Sequence, residues 1–178
     1  MASQLTQALQ AAAFNGDANA TEYMKVQENT NFAVYIHQLC IELGSKDRDV
    51  RVRQLAGLQI KNAVDTRSVQ AAQTLHNRWK ALPDQARSQV KAMLLQILHD
   101  EIKDVRGVAS LVIGKIASIE VPDKTWPELI PTLDQGITKQ STNMGLRQAS
   151  LQALGYVCEE VPRGLDEYSS VILGAIAA

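Results

Sequence analysis

The 178-residue chain is short of almost everything that marks a catalytic or cross-linked fold. It has two cysteines, Cys40 and Cys158, and neither lies in a CxxC or other metal-ligand spacing. That excludes a disulfide framework and a structural zinc site. Both cysteines sit among apolar residues, so we expect buried free thiols of a reducing compartment. No apolar run reaches the roughly 18 residues of a membrane span. The opening residues, MASQLTQALQAAAFNGD, lack the basic start and long apolar core of a signal peptide. We expect a soluble, intracellular protein. A net charge of −1 lacks the basic surplus of a general nucleic-acid binder. There is no G-x-x-x-x-G-K-[ST] phosphate loop and no G-x-S-x-G elbow. His37, His76 and His99 are scattered, and the carboxylates assemble into no recognisable acid–base pair. We therefore expect no cofactor, no metal and no catalysis.

Glycine, proline and aromatic residues are also few, which leaves Leu, Ala, Gln, Val and Ile dominant. That composition favours helix over strand. A repeat lies within it. Residues 109–133, ASLVIGKIASIEVPDKTWPELIPTL, recur without a gap as residues 149–173, ASLQALGYVCEEVPRGLDEYSSVIL. Ala109-Ser110-Leu111 falls on Ala149-Ser150-Leu151, Glu120-Val121-Pro122 on Glu160-Val161-Pro162, and Leu133 on Leu173. A period of about 40 residues in a helical pattern is the signature of a two-helix solenoid repeat. Such arrays present stacked helices to other proteins.

The chain divides into helices by its caps and stripes. Residues 2–13 read as a helix capped by Ser3 and stopped by Asn15-Gly16-Asp17. Residues 18–29 carry little apolar content, and Thr30 or Asn31 then caps NFAVYIHQLCIELG. The next helix runs from Asp47-Arg48-Asp49-Val50-Arg51 to Val64. Val52, Leu55, Ala56, Ile60 and Ala63 make its buried stripe. Lys61, Gln54 and Val50 fall on the opposite side, with Gly57 close to them, at about 100° per residue. The Asp-Val-Arg opening returns at Asp104-Val105-Arg106, a separation of 55 residues, so about 15 extra residues intervene. RSVQAAQTLHNRWK (67–80) fills that gap as an added helix. Further helices are expected at 85–99, capped by Asp84, at 105–119, from Trp126-Pro127-Glu128 onward, and at 143–160. Asp166 opens a last apolar helix with no stop signal before Ala178, which suggests an N-terminal piece of a longer array.

Several local motifs in order, Ala56-Gly57-Leu58-Gln59-Ile60-Lys61-Asn62, Arg78-Trp79, Trp126-Pro127-Glu128-Leu129-Ile130-Pro131 and Leu154-Gly155-Tyr156-Val157-Cys158, resemble the importin-β family. The similarity runs from about residue 30 to 178. It implies a right-handed all-α solenoid of about four and a half HEAT repeats. These would form a single array with repeats near 1–29, 30–82, 83–121, 122–161 and, partial, 162–178. A helices would lie on the convex side and B helices, about 18–29, 49–64, 104–119 and 143–160, on the concave side. The resemblance further implies a nuclear import receptor, present in cytoplasm, nucleus and nuclear pore. Its B helices would bind the GTP form of the GTPase Ran, and phenylalanine-glycine nucleoporins would bind at a partial site. The importin-α adaptor or cargo would bind through later repeats. The alternative is a HEAT scaffold of another kind, such as a phosphatase regulatory subunit.

On this resemblance, Lys61 and Asn62 match a Lys-Asn pair on a Ran-facing helix, with Arg53, Gln54 and Val50 as weaker candidates on the same helix. Leu173, Ile176 and Ala177 match a wall of the nucleoporin groove, where burying a phenylalanine ring contributes roughly 1.5–3 kcal/mol. Arg106 is expected to make structural bonds. Trp79 and Trp126 are expected to pack between helices, and Glu159-Glu160 to form a solvated helix end.

Overall fold

The computed structural model describes residues 3–138, 143–161 and 164–177. Among these it contains ten α-helices and no strand. They fall into two compact units, Met1–Met93 and Leu94–Ala178.

The first unit begins with α1 (Gln4–Asn15), α2 (Ala18–Thr30), α3 (Phe32–Gly44), α4 (Val50–Val64) and α5 (Val69–Lys80). Each boundary is written in polar side chains. Ser3 accepts the Thr6 amide, Asp17 those of Asn19 and Ala20, Asn31 that of Val34, Asp49 that of Arg51 and Ser68 that of Ala71. Such caps satisfy amides that the helix itself leaves unbonded, each stabilising by about 1 kcal/mol. Gly16 closes α1 with φ 62°, a left-handed conformation that a side chain would resist. The core beneath is aliphatic, with Leu9, Ile36, Leu39, Val52 and Ile60 at 0% exposure. α1 packs on α2 and α4, α3 on α4, and α5 on α4. The inserted helix α5 buries Trp79 completely.

Helix α6 (Asp84–Ile97) carries the chain into the second unit, which holds α7 (Lys103–Glu120), α8 (Leu129–Ile137), α9 (Met144–Glu160) and α10 (Ser169–Ala177). α7 lies along α9, α8 packs on α9, and α10 on α8 and α9. The contact of α7 with α9 is close. A Cβ on Gly114 would lie 2.5 Å from Tyr156 Cβ, and one on Gly136 of α8 would lie 2.2 Å from Ser150 Oγ. Ser110 Oγ, fully buried, is 3.0 Å from Ala149 O across the same seam.

Two helix starts differ from expectation. α8 begins at Leu129, three residues after Trp126. Pro131 explains the delay. Proline has no N–H to give to the carbonyl four residues back, so it fits only a helix's first turn. Asp166 opens a 3-10 turn, Asp166–Tyr168, before α10 starts at Ser169. The repeat is visible in space. Ala109 and Ala149 are both buried, as are Ser110 and Ser150, and α7 and α9 end at the equivalent Glu120 and Glu160. Leu133 and Leu173 part company, at 0% and 68% exposure. Pro162 and Ala178 lie outside the described residues.

The match of Asp49-Val50-Arg51 to Asp104-Val105-Arg106 is corrected by burial. Arg106 is buried and gives Nη1 to Asp100 O (2.8 Å) and Glu101 O (3.0 Å). Its counterpart is Arg53, buried to 1% and giving Nε to Leu43 O at 2.8 Å. Each arginine ties its helix to the chain preceding it. Arg51, by contrast, stands in solvent. No helix among the described residues is long and apolar enough to cross a membrane.

Candidate interaction surfaces

Helix α4 is covered by α1, α3 and α5, which leaves one strip of it open. Val52, Ala56, Ile60 and Ala63 of the expected stripe are fully buried, while Leu55 is half-buried. The open strip runs through Arg51, Leu58 and Asn62. Lys61, Gln54 and Val50, which periodicity sets opposite the core, are half-buried along one edge of it. The added helix α5 packs on α4, and its Arg78 bonds Ala63 O at 3.0 Å. Lys61 Nζ is held 3.1 Å from Asp65 Oδ2, one turn further on.

Arg53 is unsuited to the contact role expected of it. Its guanidinium is buried on Leu43 O, and turning it outward would take the donor from that carbonyl. Leu58, 41% exposed in the middle of the strip, is a residue the sequence reading did not single out. The signal was present, since at 100° per residue Leu58 falls about 20° from Arg51 and about 40° from Asn62, outside the buried arc.

At the start of α4 the Arg51 guanidinium stacks on Phe14 of α1, with Cζ 4.1 Å from the ring centroid. Behind α4, Arg78 of α5 reaches three other helices. It donates Nη2 to Glu28 of α2 and to Ala63 O of α4, and stacks over Phe32 of α3 at 4.2 Å. Burial, with Glu28 close by, holds the neighbouring Tyr35 phenol above its ordinary range. Burial, then Lys80, lowers the His76 imidazole, and Asp65 opposes them. On the far side, Thr6 Oγ1 gives its proton to buried Glu42 at 2.6 Å, and Arg48 Nε bonds the other carboxylate oxygen at 2.9 Å.

The second candidate surface is on α10. Leu173 and Ala177 are exposed, while Ile172 and Ala175 turn inward. The Ile176 side chain lies outside what the structure describes. Trp79 and Trp126 are buried between helices, at 0% and 2% exposure. Glu160 is no simple solvated end, because Lys115 Nζ of α7 bonds it at 2.6 Å. Cys40 is buried and its thiol is pushed up to about 12, but Cys158 is exposed, contrary to expectation. Its position on α9, outside the Ala149–Ala153–Val157 buried line, is the reason. Among the described residues no group of three His, Cys, Asp or Glu side chains could hold a metal ion.

A family model described as the importin-beta N-terminal domain matches residues 24–100. Importin subunit beta-1 of Arabidopsis thaliana is 39% identical over 174 residues, covering 96% of this chain and 20% of that protein. The Schizosaccharomyces pombe protein of the same name is 33% identical over 161 residues, 90% of this chain and 18% of its own. Among solved structures, yeast importin-beta (Kap95p) superposes with a TM-score of 0.92 at 28% identity, covering 98% of this chain and 21% of that one. A Kap95:Nup1 complex gives 0.89 at 28% identity, with 98% and 21% covered. A structure in which Kap95p binding induces the switch loops of RanGDP to adopt the GTP-bound conformation gives 0.85 at 26%, with 89% and 19% covered. The expected class, an all-α solenoid, is that of these structures. The chain spans about a fifth of the length of the curated relatives it matches.

Proposed function

The chain belongs to the importin-β family, and we propose that it serves nuclear transport by docking Ran on the open strip of α4. The strip offers Leu58 and Asn62 at its centre, with Lys61, Gln54 and Val50 along its edge. Arg53 is left out because its guanidinium is already spent inside the fold. What supports this reading most is the likeness, over 89% of the chain, to Kap95p bound to Ran. Importin relatives along nearly the whole chain weigh against a scaffold of another HEAT class. The function is binding without catalysis.

Nucleotide selectivity comes from Ran. A surface shaped for the GTP-bound switch loops meets them ready-made in one form and must rearrange them in the other. Kap95p does rearrange them in RanGDP. The two forms are therefore expected to differ in affinity rather than as all against nothing. Each roughly 1.4 kcal/mol of rearrangement weakens the GDP complex about tenfold. The test is calorimetric titration of the chain with Ran carrying a GTP analogue, and separately GDP. Tighter binding of the GTP form, weakened by Asn62→Ala or Lys61→Gln, is the expected result. Lys61→Gln is cleaner than Lys61→Glu, which would set two carboxylates one turn apart against Asp65. Equal affinity for both forms would contradict the selectivity. No binding of either would remove Ran as the partner.

A second reading concerns α10. Exposed Leu173 on a helix whose other face is packed, together with the likeness to Kap95 in complex with Nup1, supports a nucleoporin contact there with Leu173, Ile176 and Ala177.

A further inference from the structure

We propose that the Phe14–Arg51 pair is an additional anchor for the protein that docks on α4, and that it receives a single carboxylate side chain from it. The inference rests on the Ran reading above. Arg51 is 64% exposed in its side chain, yet it is not a loose surface residue. Its guanidinium carbon lies over the Phe14 ring, 4.1 Å from the centroid, and Nε leans on Asp49 Oδ1 at 3.4 Å. Among the described residues neither Nη group has a hydrogen-bond partner. The guanidinium is held at Cζ and Nε on a side chain that is largely open to solvent. That is the geometry in which arginine takes a carboxylate through two parallel bonds.

Stacking lowers the entropy lost on binding, because the long side chain is already ordered when the partner arrives. The ring contributes too. Phe14 is 42% exposed, and a cation over an aromatic face is attracted more strongly as water is excluded from it. The pair stands two turns before Leu58 on the same side of α4, roughly 10 Å away at 1.5 Å per residue. One partner surface can therefore span an apolar contact at Leu58 and a charged one at Arg51.

The neighbourhood selects the kind of anion. Asp49, 46% exposed, touches Arg51, and Asp47 pairs with Arg48 just before it. A phosphate chain or nucleic acid would bring several negative charges against these carboxylates. One aspartate or glutamate of a folded partner brings a single charge, which the guanidinium edge can take without crowding them.

The experiment titrates the wild-type chain and the Arg51→Ala, Arg51→Lys and Phe14→Leu variants with Ran carrying a GTP analogue, at low and moderate salt. Thermal unfolding of each variant is measured alongside. Arg51→Ala is expected to weaken binding about tenfold and Arg51→Lys about fivefold, since lysine offers neither the fork nor the stack. Phe14→Leu is expected to weaken it about threefold. Wild-type affinity should fall more steeply with salt than that of Arg51→Ala, and the unfolding midpoints should agree. Wild-type binding with Arg51→Ala unchanged within twofold would overturn this inference and leave the Ran reading standing. Weakened binding with a lowered unfolding midpoint would overturn it as well, by making the pair a structural contact. Absence of wild-type binding would overturn the Ran reading, and this inference with it.

Discussion

Both units are built of tandem helices, nearly even in length in the first and alternately long and short in the second, and they join them differently. In the first, long polar side chains reach between helices. Arg78 of α5 holds Glu28 of α2, the Ala63 carbonyl of α4 and the Phe32 ring of α3, while Thr6, Glu42 and Arg48 link α1 to the end of α3. In the second, helices approach until backbone meets side chain. Gly114 admits Tyr156, Gly136 admits Ser150, and Ser110 reaches the Ala149 carbonyl. Both units share a buried arginine, Arg53 in one and Arg106 in the other, and the second adds a polar clasp between α7 and α9 in Lys115–Glu160. The lesson is that one repeat architecture tolerates two kinds of seam. Close packing needs small residues at fixed positions. Clasps need long polar side chains, and in the first unit the insertion α5 supplies one through Arg78.

The comparison is broken most severely at Gly114. Gly114→Ala places a methyl 2.5 Å from Tyr156 Cβ and 3.2 Å from its backbone carbon, neither of which is the end of a flexible side chain. Overpacking of this kind costs about 1–3 kcal/mol, partly offset by the roughly 1 kcal/mol that alanine gains over glycine in a helix. We expect a net loss near 2 kcal/mol at the upper limit, seen in urea unfolding followed by probes in the second unit. A stabilised variant would mean the α7–α9 seam is looser than described.

Arg78→Ala comes next. It removes two charge-assisted hydrogen bonds and a stacked ring, which together contribute about 1.5 kcal/mol after allowing for partial exposure. A double-mutant cycle with Glu28→Gln should show a coupling energy that neither single variant explains. Additivity would demote the clasp to coincidence of position. The smallest effect is that of Thr6→Val, which withdraws one of the two donors to Glu42 and should cost about 1 kcal/mol. A neutral result would leave Arg48 as the sole partner that carboxylate needs.

Most of the helices were legible in the sequence because the information is local. Ser3 and Asn31 act as caps as expected, and the 67–80 insertion is a helix. The start of α8 lies beyond the opening that Trp126-Pro127 suggests because Pro131 has to fall in the first turn. The α4 surface was legible in part. Periodicity found its buried side but centred the open side on Lys61, Gln54 and Val50. Three helices of different chain distance pack on α4, and a helical wheel cannot know which flank α5 will cover. The same limit hid Arg53 and Arg78. Both look like solvated charges until a carbonyl or a glutamate from a distant residue is placed beside them.

The surfaces of the two units differ as well, with Leu58 exposed on α4 in the first and Leu173 on α10 in the second. Both protrude, so both can be changed without disturbing a core. The most direct measurement is the affinity for Ran carrying a GTP analogue of two variants side by side, Leu58→Glu and Leu173→Glu. The account predicts that Leu58→Glu loses binding at least tenfold while Leu173→Glu keeps wild-type affinity. Loss in Leu173→Glu with Leu58→Glu unchanged would contradict it and move the Ran site off α4.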